Sequence, residues 1–285
     1  MFGANRLTAR PPHDILAMRK AGLVVARALQ LVQESCVEGT ATLALDRLAE
    51  DMIRSEGAIP SFPGVPGYRH TLCVSVNNEV VHGIPGSKRV VPGDLVSVDC
   101  GASVDGWHGD AAVSFIVGGE EAARPEDLAL IEATRGALWA GIAAFSVGGR
   151  LHDIGAAVED HLEQVQQSLP GGPYTFGIVD GYEGHAIGRE MHLSPGVPNF
   201  RVRSRGPAIP AGATVAIEPM VTLGTDQTRE LEDGWTVVTL DGTRAAHIEH
   251  TVAATPTGPF VLTALDGGAA ELSRLGLSCG ATPHE

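Results

Sequence analysis

The stretch Asp94-Leu95-Val96-Ser97-Val98-Asp99-Cys100-Gly101-Ala102-Ser103-Val104-Asp105-Gly106-Trp107-His108-Gly109-Asp110, continuing through Ala111 to Val117, decides the fold. Asp94 to Asp99 reads as a strand, Asp105-Gly106 as a turn dipeptide, and Ala111 to Val117 as a returning strand. Residues 94–117 therefore predict a β-hairpin. Asp99 and Asp110 lie on its opposite arms, where an antiparallel ladder can bring them face to face. Two carboxylates that close repel unless a proton or a cation sits between them. Taken alone the pair says little, because acids flank many hairpins.

Upstream, Ile15, Met18, Gly22, Val25, Ala26, Leu29 and Val32 fall at helical spacing. Leu45, Leu48, Ala49, Met52 and Ile53 repeat the pattern, with Thr42 placed to cap that second helix and Gly57 to end it. Pro60 to Gly67 reads as loop, and Leu72 to Val76 as strand. Downstream, Pro125 opens a third helix carried by Leu128, Ile131, Leu138 and Ile142. A fourth follows on Ile154, Val158, Leu162 and Val165. After it come a glycine-rich stretch, 171–188, and strands over 213–223 and 244–254. Two helices followed by strands thus occur in each half, which predicts an α+β fold built from a duplicated unit. Residues 1–285 read as one domain, with tails at about 1–12 and 266–285.

Composition narrows the function. The chain has 285 residues, 44% hydrophobic and 19% charged, with a net charge of −14. A nucleic-acid partner would favour a basic face, so none is expected. The cysteines Cys36, Cys73, Cys100 and Cys279 form no C-x-x-C pair, which argues against a thiolate zinc knuckle. Neither a signal-peptide core near Met1 nor a stretch of roughly 18 apolar residues is visible, so a soluble, cytoplasmic protein without a membrane partner is expected.

Further acids stand in apolar surroundings. Glu218 sits in Val215-Ala216-Ile217-Glu218-Pro219-Met220, and Glu249 in Ala245-Ala246-His247-Ile248-Glu249-His250-Thr251-Val252. A carboxylate in such a strand is costly unless paired or bound to metal. With the hairpin pair these make four acids that could converge, with His185 as a nitrogen ligand. That oxygen-rich set suits Mn(II), Fe(II), Co(II) or Zn(II). Its four negative charges balance two divalent ions, which roughly 3.5–4 Å apart can deprotonate a shared water. His185 and His192 lie seven apart among glycines, and His82 ends a strand beside Gly83 and Pro85. A single histidine of this kind is usually structural.

Taken together these segments resemble the type I methionine aminopeptidases. The matching pieces are Asn78-Glu79-Val80-Val81-His82-Gly83-Ile84-Pro85, then Asp99-Cys100-Gly101 through Gly106-Trp107-His108-Gly109-Asp110. Gly184-His185-x-Ile187-Gly188-Arg189-x-x-His192 follows, then Ala216-Ile217-Glu218-Pro219, Asp233-Gly234-Trp235-Thr236-Val237-Val238-Thr239 and Glu249-His250-Thr251. They occur in the family's order over residues 13–265, without the amino-terminal extension of some subtypes, as in the short bacterial subtype.

The resemblance implies the pita-bread fold, a pseudo-twofold α+β unit around an antiparallel sheet. It also implies removal of the initiator methionine from nascent polypeptides with a small second residue, by a cytoplasmic, monomeric enzyme that could act at the ribosome. Asp99, Asp110, His185, Glu218 and Glu249 would be metal ligands, Asp99 on one ion and Asp110 and Glu249 bridging two. Glu218 would also take the proton of the attacking water. His192 would hydrogen-bond the substrate carbonyl oxygen, and His82 would assist the leaving amide nitrogen. Tyr68, Cys73, Met191 and Trp235 would line the methionine pocket, with Phe62 and Val65 nearby.

The sequence departs from the family pattern at Val65, where Tyr is common, at Ala186, where Gly is usual, and at Glu183, where a small residue or Cys is usual. These changes raise the alternative of a specialised paralogue with altered inhibitor sensitivity. A prolidase-like hydrolase and a catalytically silent scaffold of the same fold are the other readings. The first usually needs a large amino-terminal domain, and the second typically loses ligands that are all present here.

Overall fold

The computed structural model describes residues 6–281. The first half carries α1 (Pro12–Ser35) and α2 (Thr42–Ser55), then β1 (Ile59–Pro60), β2 (Leu72–Val76), β3 (Glu79–Val81), β4 (Leu95–Val104) and β5 (Trp107–Ile116). The second half repeats the order with α3 (Pro125–Ala144) and α4 (Asp153–Val165). The strands β6 (Gly177–Ile178), β7 (Gly184–Ala186), β8 (Leu193–Val197), β9 (Thr214–Ile217) and β10 (Met220–Thr222) come next. They are followed by β11 (Thr228–Glu230), β12 (Val237–Thr239), β13 (Ala245–His247), β14 (Glu249–Thr255), β15 (Gly258–Val261) and the short helix α5 (Ala269–Arg274).

The main sheet runs β1-β4-β5-β14-β9-β7-β8, with β2 also on β4 and β15 also on β14. Its pairings are antiparallel; β4–β5, β7–β8 and β14–β15 are sequential hairpins, whereas β1–β4, β2–β4, β5–β14, β14–β9 and β9–β7 join strands that are not consecutive in the chain. The pleat separates two jobs. Val96, Val98 and Cys100 of β4 face a core shared with Val25, Leu29 and Val32 of α1. Val215 and Ile217 of β9 face a core shared with Leu138 and Ile142 of α3 and Ile154 of α4. The alternate positions, Asp99 and Gly101 on β4 and Ala216 on β9, point to the other face. The helices thus back the sheet, and the acids emerge opposite them.

The amphipathic helices occupy the predicted spans. Gly22 is the point where α1 meets the hairpin backbone: a Cβ on Gly109 would stand 2.7 Å from Gly22 N, and one on Gly22 only 2.2 Å from Leu262 O. This close approach seats the helix against the residue preceding Asp110. A buried Asp127 ties α3 to the strands. It pairs with Arg124, and with Arg244, whose Nη1 also donates to Gly93 O at 2.7 Å.

Several expectations need correction. The hairpin falls within the expected 94–117, but its strands run further into the turn than Asp99 and Ala111, reaching Val104 and Trp107 with only Asp105-Gly106 between them. Neither 213–223 nor 244–254 is one strand. The first breaks at Glu218-Pro219 and the second at Ile248, and the pieces lie in different sheets. Thr42 does not cap α2; its hydroxyl accepts from Gly86 N at 2.8 Å instead. Gly57 does close that helix, at φ +74°, with Ala58 N donating to Ile53 O. The segments read as tails also carry packed residues. Leu7 and Leu272 are buried in the same core, and Arg10 reaches Thr214 Oγ1 at 2.8 Å and Ile187 O at 2.9 Å. Residues 1–5 and 282–285 of those tails lie outside the described residues.

Candidate metal centre

All the site residues singled out from sequence line one cavity of ≈ 160 Å³. Asp99 and Asp110 enter it from the hairpin, and His185 from β7, on the far side of β9 and β14. Glu218 stands where the chain leaves β9, and Glu249 begins β14. These last two come from neighbouring strands: β9 pairs with β14, and β10 with β13. Both strands switch sheets at the same level, so Glu218-Pro219 and Ile248-Glu249 form one break. The break takes Glu218 out of the ladder, while Glu249, the first residue of β14, stays paired with Ala112 of β5 beside the hairpin acids.

The ligand atoms fall into three overlapping groups whose members lie within 4.8 Å of one another: Asp99, Asp110 and Glu249; His185, Glu218 and Glu249; and Asp110, His185 and His192. Asp110, His185 and Glu249 each belong to two of them. Asp99 Oδ1, Asp110 Oδ1 and Glu249 Oε1 are buried with no hydrogen-bond partner. Leaving three carboxylate oxygens dry and unpaired is expensive, and a bound cation removes the penalty. This donor set therefore fits hard divalent ions.

The electrostatics say the same. Burial, with Glu218 nearby, raises the Asp99 carboxyl to about 7. Burial, reinforced by Glu183, raises Glu218 to about 8. Burial and the neighbouring acids also push Asp110 and Glu249 well above the usual carboxylate range. The histidines move the opposite way: burial lowers His185 to about 3 and His82 to about 4. A neutral His185 has one lone pair to offer. Its Nδ1 lies 3.1 Å from Ala186 O and must donate there, so Nε2 carries the lone pair. Nε2 points between Asp110 Oδ2 at 3.8 Å and Glu218 Oε1 at 3.6 Å.

The rest of the cavity is apolar. Phe62, Tyr68, Cys73 and Met191 are buried, and Val65 and Trp235 are partly buried. Tyr68 packs edge-on against Phe62 and Trp235, with ring centroids 6.3 and 4.9 Å apart. Its hydroxyl donates to Leu72 O at 2.7 Å, which leaves only the ring's apolar body for the cavity. Gly101, opposite Asp110, keeps the space open, because a Cβ there would lie 2.9 Å from Phe62 Cε1 and 3.1 Å from Met191 Sδ. His82 adopts φ +59°, a costly backbone for a histidine. Its ring is held edge-on between Tyr182 at 5.6 Å and Trp235 at 6.2 Å. His192 stands at the rim, 4.5 Å from the His185 ring.

Sequence reasoning missed three residues that support these. Thr251 Oγ1 accepts from Asp110 N at 2.9 Å and donates to Asp110 O at 2.8 Å, continuing the ladder between β14 and β5. Buried Asn199 donates from Nδ2 to Glu218 O at 3.1 Å. His247 approaches Glu218 from β13. The signal for Thr251 and His247 was their position two residues either side of Glu249. Asn199, in an irregular segment, gave none.

Converging carboxylates and an imidazole beneath an apolar pocket define a hydrolytic centre built for divalent cations. The sequence pattern of metallopeptidase family M24 matches residues 17–256, and the chain belongs to that family. It is 52% identical to methionine aminopeptidase 1 of Mycobacterium tuberculosis over 92% of this chain and 96% of the relative. The crystal structure of methionine aminopeptidase from Thermotoga maritima superposes with a TM-score of 0.83 at 39% identity, covering 90% of this chain and 99% of that one. Prolidase from Pyrococcus furiosus has a TM-score of 0.70 at 19% identity, covering 91% and 66%, and shares the fold alone. The pita-bread fold expected from the resemblance is thus the fold observed.

Proposed function

We propose that the chain is a methionine aminopeptidase, a metal-dependent hydrolase that removes the N-terminal methionine from nascent proteins whose second residue is small. The observation that carries this reading is a single cavity of ≈ 160 Å³ in which the orphaned carboxylates meet an apolar wall.

Asp99, Asp110, His185, Glu218 and Glu249 hold two divalent ions, drawn from Co(II), Mn(II), Fe(II) and Zn(II). Asp110 and Glu249 would be the residues shared between the ions, since each is a carboxylate with two oxygens and belongs to two groups, whereas the neutral His185 has one lone pair to offer. Bound there, the ions supply Lewis acidity and an acidified water at neutral pH. The chain's own groups do the rest. Glu218, whose carboxylate lines the cavity, would receive the water's proton as general base. His192, at the rim, donates to the carbonyl oxygen as negative charge develops. His82, held neutral by burial, stands ready for the departing amide nitrogen. Phe62, Tyr68, Cys73, Met191 and Trp235 enclose the methionine side chain and exclude water. Val65 widens this wall relative to a tyrosine. The substrate's free amine would be held at the metal centre, which restricts cleavage to the N-terminal residue.

No described helix is long and apolar enough to cross a membrane. A cytoplasmic monomer meeting nascent chains at the ribosome completes the reading. Release of methionine from Met-Ala-Ser and Met-Gly-Met-Met by metal-free protein supplied with Co(II), Mn(II) or Fe(II) tests it, with an Ala-Pro peptide as control. Metal-dependent loss of methionine alone is expected. Turnover without metal, or none with metal bound, refutes it.

A further inference from the structure

Glu218 stands between two imidazoles. His185 Nε2 lies 3.6 Å from its Oε1, and His247 Nε2 lies 3.5 Å from its Oε2. The two histidines differ in their surroundings. His185 borders the cavity and shares ligand groups with Asp110 and Glu249. His247 lies behind Glu218, outside the cavity lining and outside every ligand group among the described residues. It is 2% exposed, and its Nε2 has no hydrogen-bond partner. A buried ring nitrogen left unpaired is costly, so a position holding one calls for an acceptor.

The backbone holds the ring where it is. His247 N donates to Ser114 Oγ at 3.0 Å, and Ser114 Oγ donates back to His247 O at 2.8 Å. His247 faces Met220 across β13 and β10, two residues beyond Glu218. The break that frees Glu218 from β9 therefore also delivers His247 to its side. The 3.5 Å separation exceeds a normal N–H···O bond by about half an ångström. A small rotation of the carboxylate closes it.

We propose that His247 is a positioning residue, whose Nε2–H donates to Glu218 Oε2 when divalent ions draw the carboxylate into line. Oε2 is then held from behind, leaving Oε1 on the His185 side, where a divalent ion would be held. The inference rests on the metallopeptidase reading of the same site and deepens it. What the role needs is a donor of the right reach, which a glutamine amide also offers and an alkyl side chain does not.

The test uses the full chain as native protein, His247→Gln and His247→Leu, with thermal melting to establish folding. Metal-free samples are titrated with Co(II) by calorimetry and by visible absorption of the bound ion, and kcat and KM are measured on a methionyl peptide. Removing a group that orients a ligand typically weakens metal affinity or activity about 10–100-fold. His247→Leu is expected to weaken Co(II) binding and lower kcat within that range, to alter the absorption band, and to leave KM within about threefold. His247→Gln restores affinity, band and kcat. Should the leucine variant not fold, His247→Asn, whose amide is too short to reach, takes its place with the same expected losses. Native affinity, band and kcat in a folded Leu or Asn variant overturn the proposal, as does a folded Gln variant that restores nothing. Absence of methionine release from the native chain would sink the peptidase reading alone, because the Co(II) band and affinity report the orientation of Glu218 without turnover.

Discussion

Asp99 and Asp110 do not face one another across the hairpin: Asp99 pairs with Ala112, and Asp110 with Gly101. They are diagonal neighbours on one face of the sheet, and the residues directly opposite them are small, Ala112 and Gly101. Diagonal positions have Cα atoms about 7–8 Å apart, which lets both side chains lean toward one point without stacking. The glycine beside Asp110 leaves space for Phe62 and Met191.

Filling that space is expected to damage the pocket. In Gly101→Ala the new methyl meets Phe62 and Met191 at about van der Waals limits or closer. Overpacking of this kind costs about 1–3 kcal/mol. Spent at the site, it corresponds to a fall of about 10–100-fold in kcat/KM for methionyl peptides. Steady-state kinetics alongside a thermal melt decide it, and native kcat/KM in a folded variant contradicts the role given to Gly101.

Neutralising one acid should separate stability from activity. Asp110→Asn and Glu218→Gln each remove a buried charge that only a cation balances. Each is expected to lower kcat by about 100-fold or more, while the melting temperature of the metal-free protein stays level or rises. Near-native turnover in either variant, or a collapse of the metal-free fold, would count against the assigned roles.

The raised carboxyl groups set a pH dependence. Unfolded Asp and Glu titrate near about 4, whereas burial holds Asp99 to about 7 and Glu218 to about 8. Between those limits the folded metal-free protein binds more protons than the unfolded chain, so its stability falls as pH rises. Divalent ions must displace those protons, so they bind and stabilise more strongly at the upper end. Melting of chelator-treated protein at pH 5.5 and 8, with and without Mn(II), should show a lower metal-free melting temperature at pH 8 and a larger Mn(II) shift there. The reverse order of either quantity refutes the account.

Asp127→Ala is expected to weaken the fold away from the site. Asp127 is fully buried between Arg124 and Arg244, and Arg244 is only 19% exposed. Removing the acid strands a buried guanidinium, at about 3–5 kcal/mol. That corresponds to roughly 10 °C of melting temperature in a chain of this size. Differential scanning calorimetry reads it, and a shift under about 2 °C would show the network to be dispensable.

The elements were legible wherever a single period ran unbroken. The four long helices and the β4–β5 hairpin follow from apolar spacing and one Asp-Gly turn, because those preferences act between near neighbours in the chain. The chemistry was legible too, since Glu218 and Glu249 stand out as carboxylates in strands that otherwise bury themselves. What the period could not reveal was the break in each of those strands. An apolar run reads the same whether it stays in one sheet or passes to another, so 213–223 and 244–254 looked continuous. The choice is made by pairing with other strands: β9 with β7 and β14, β10 with β6 and β13, and β14 with the distant β5.

The same limit covers the supporting residues. Thr251 matters because it reaches Asp110, 141 positions earlier, and Asn199 because it meets Glu218 from an irregular segment. The sequence by itself determined which side chains could bind a cation and roughly which strands carry them. Only the tertiary structure decided that β9 and β14 break at the same level. That shared break brings acids from both halves into one dry cavity, where mutual repulsion and lost hydration make a cation the natural partner.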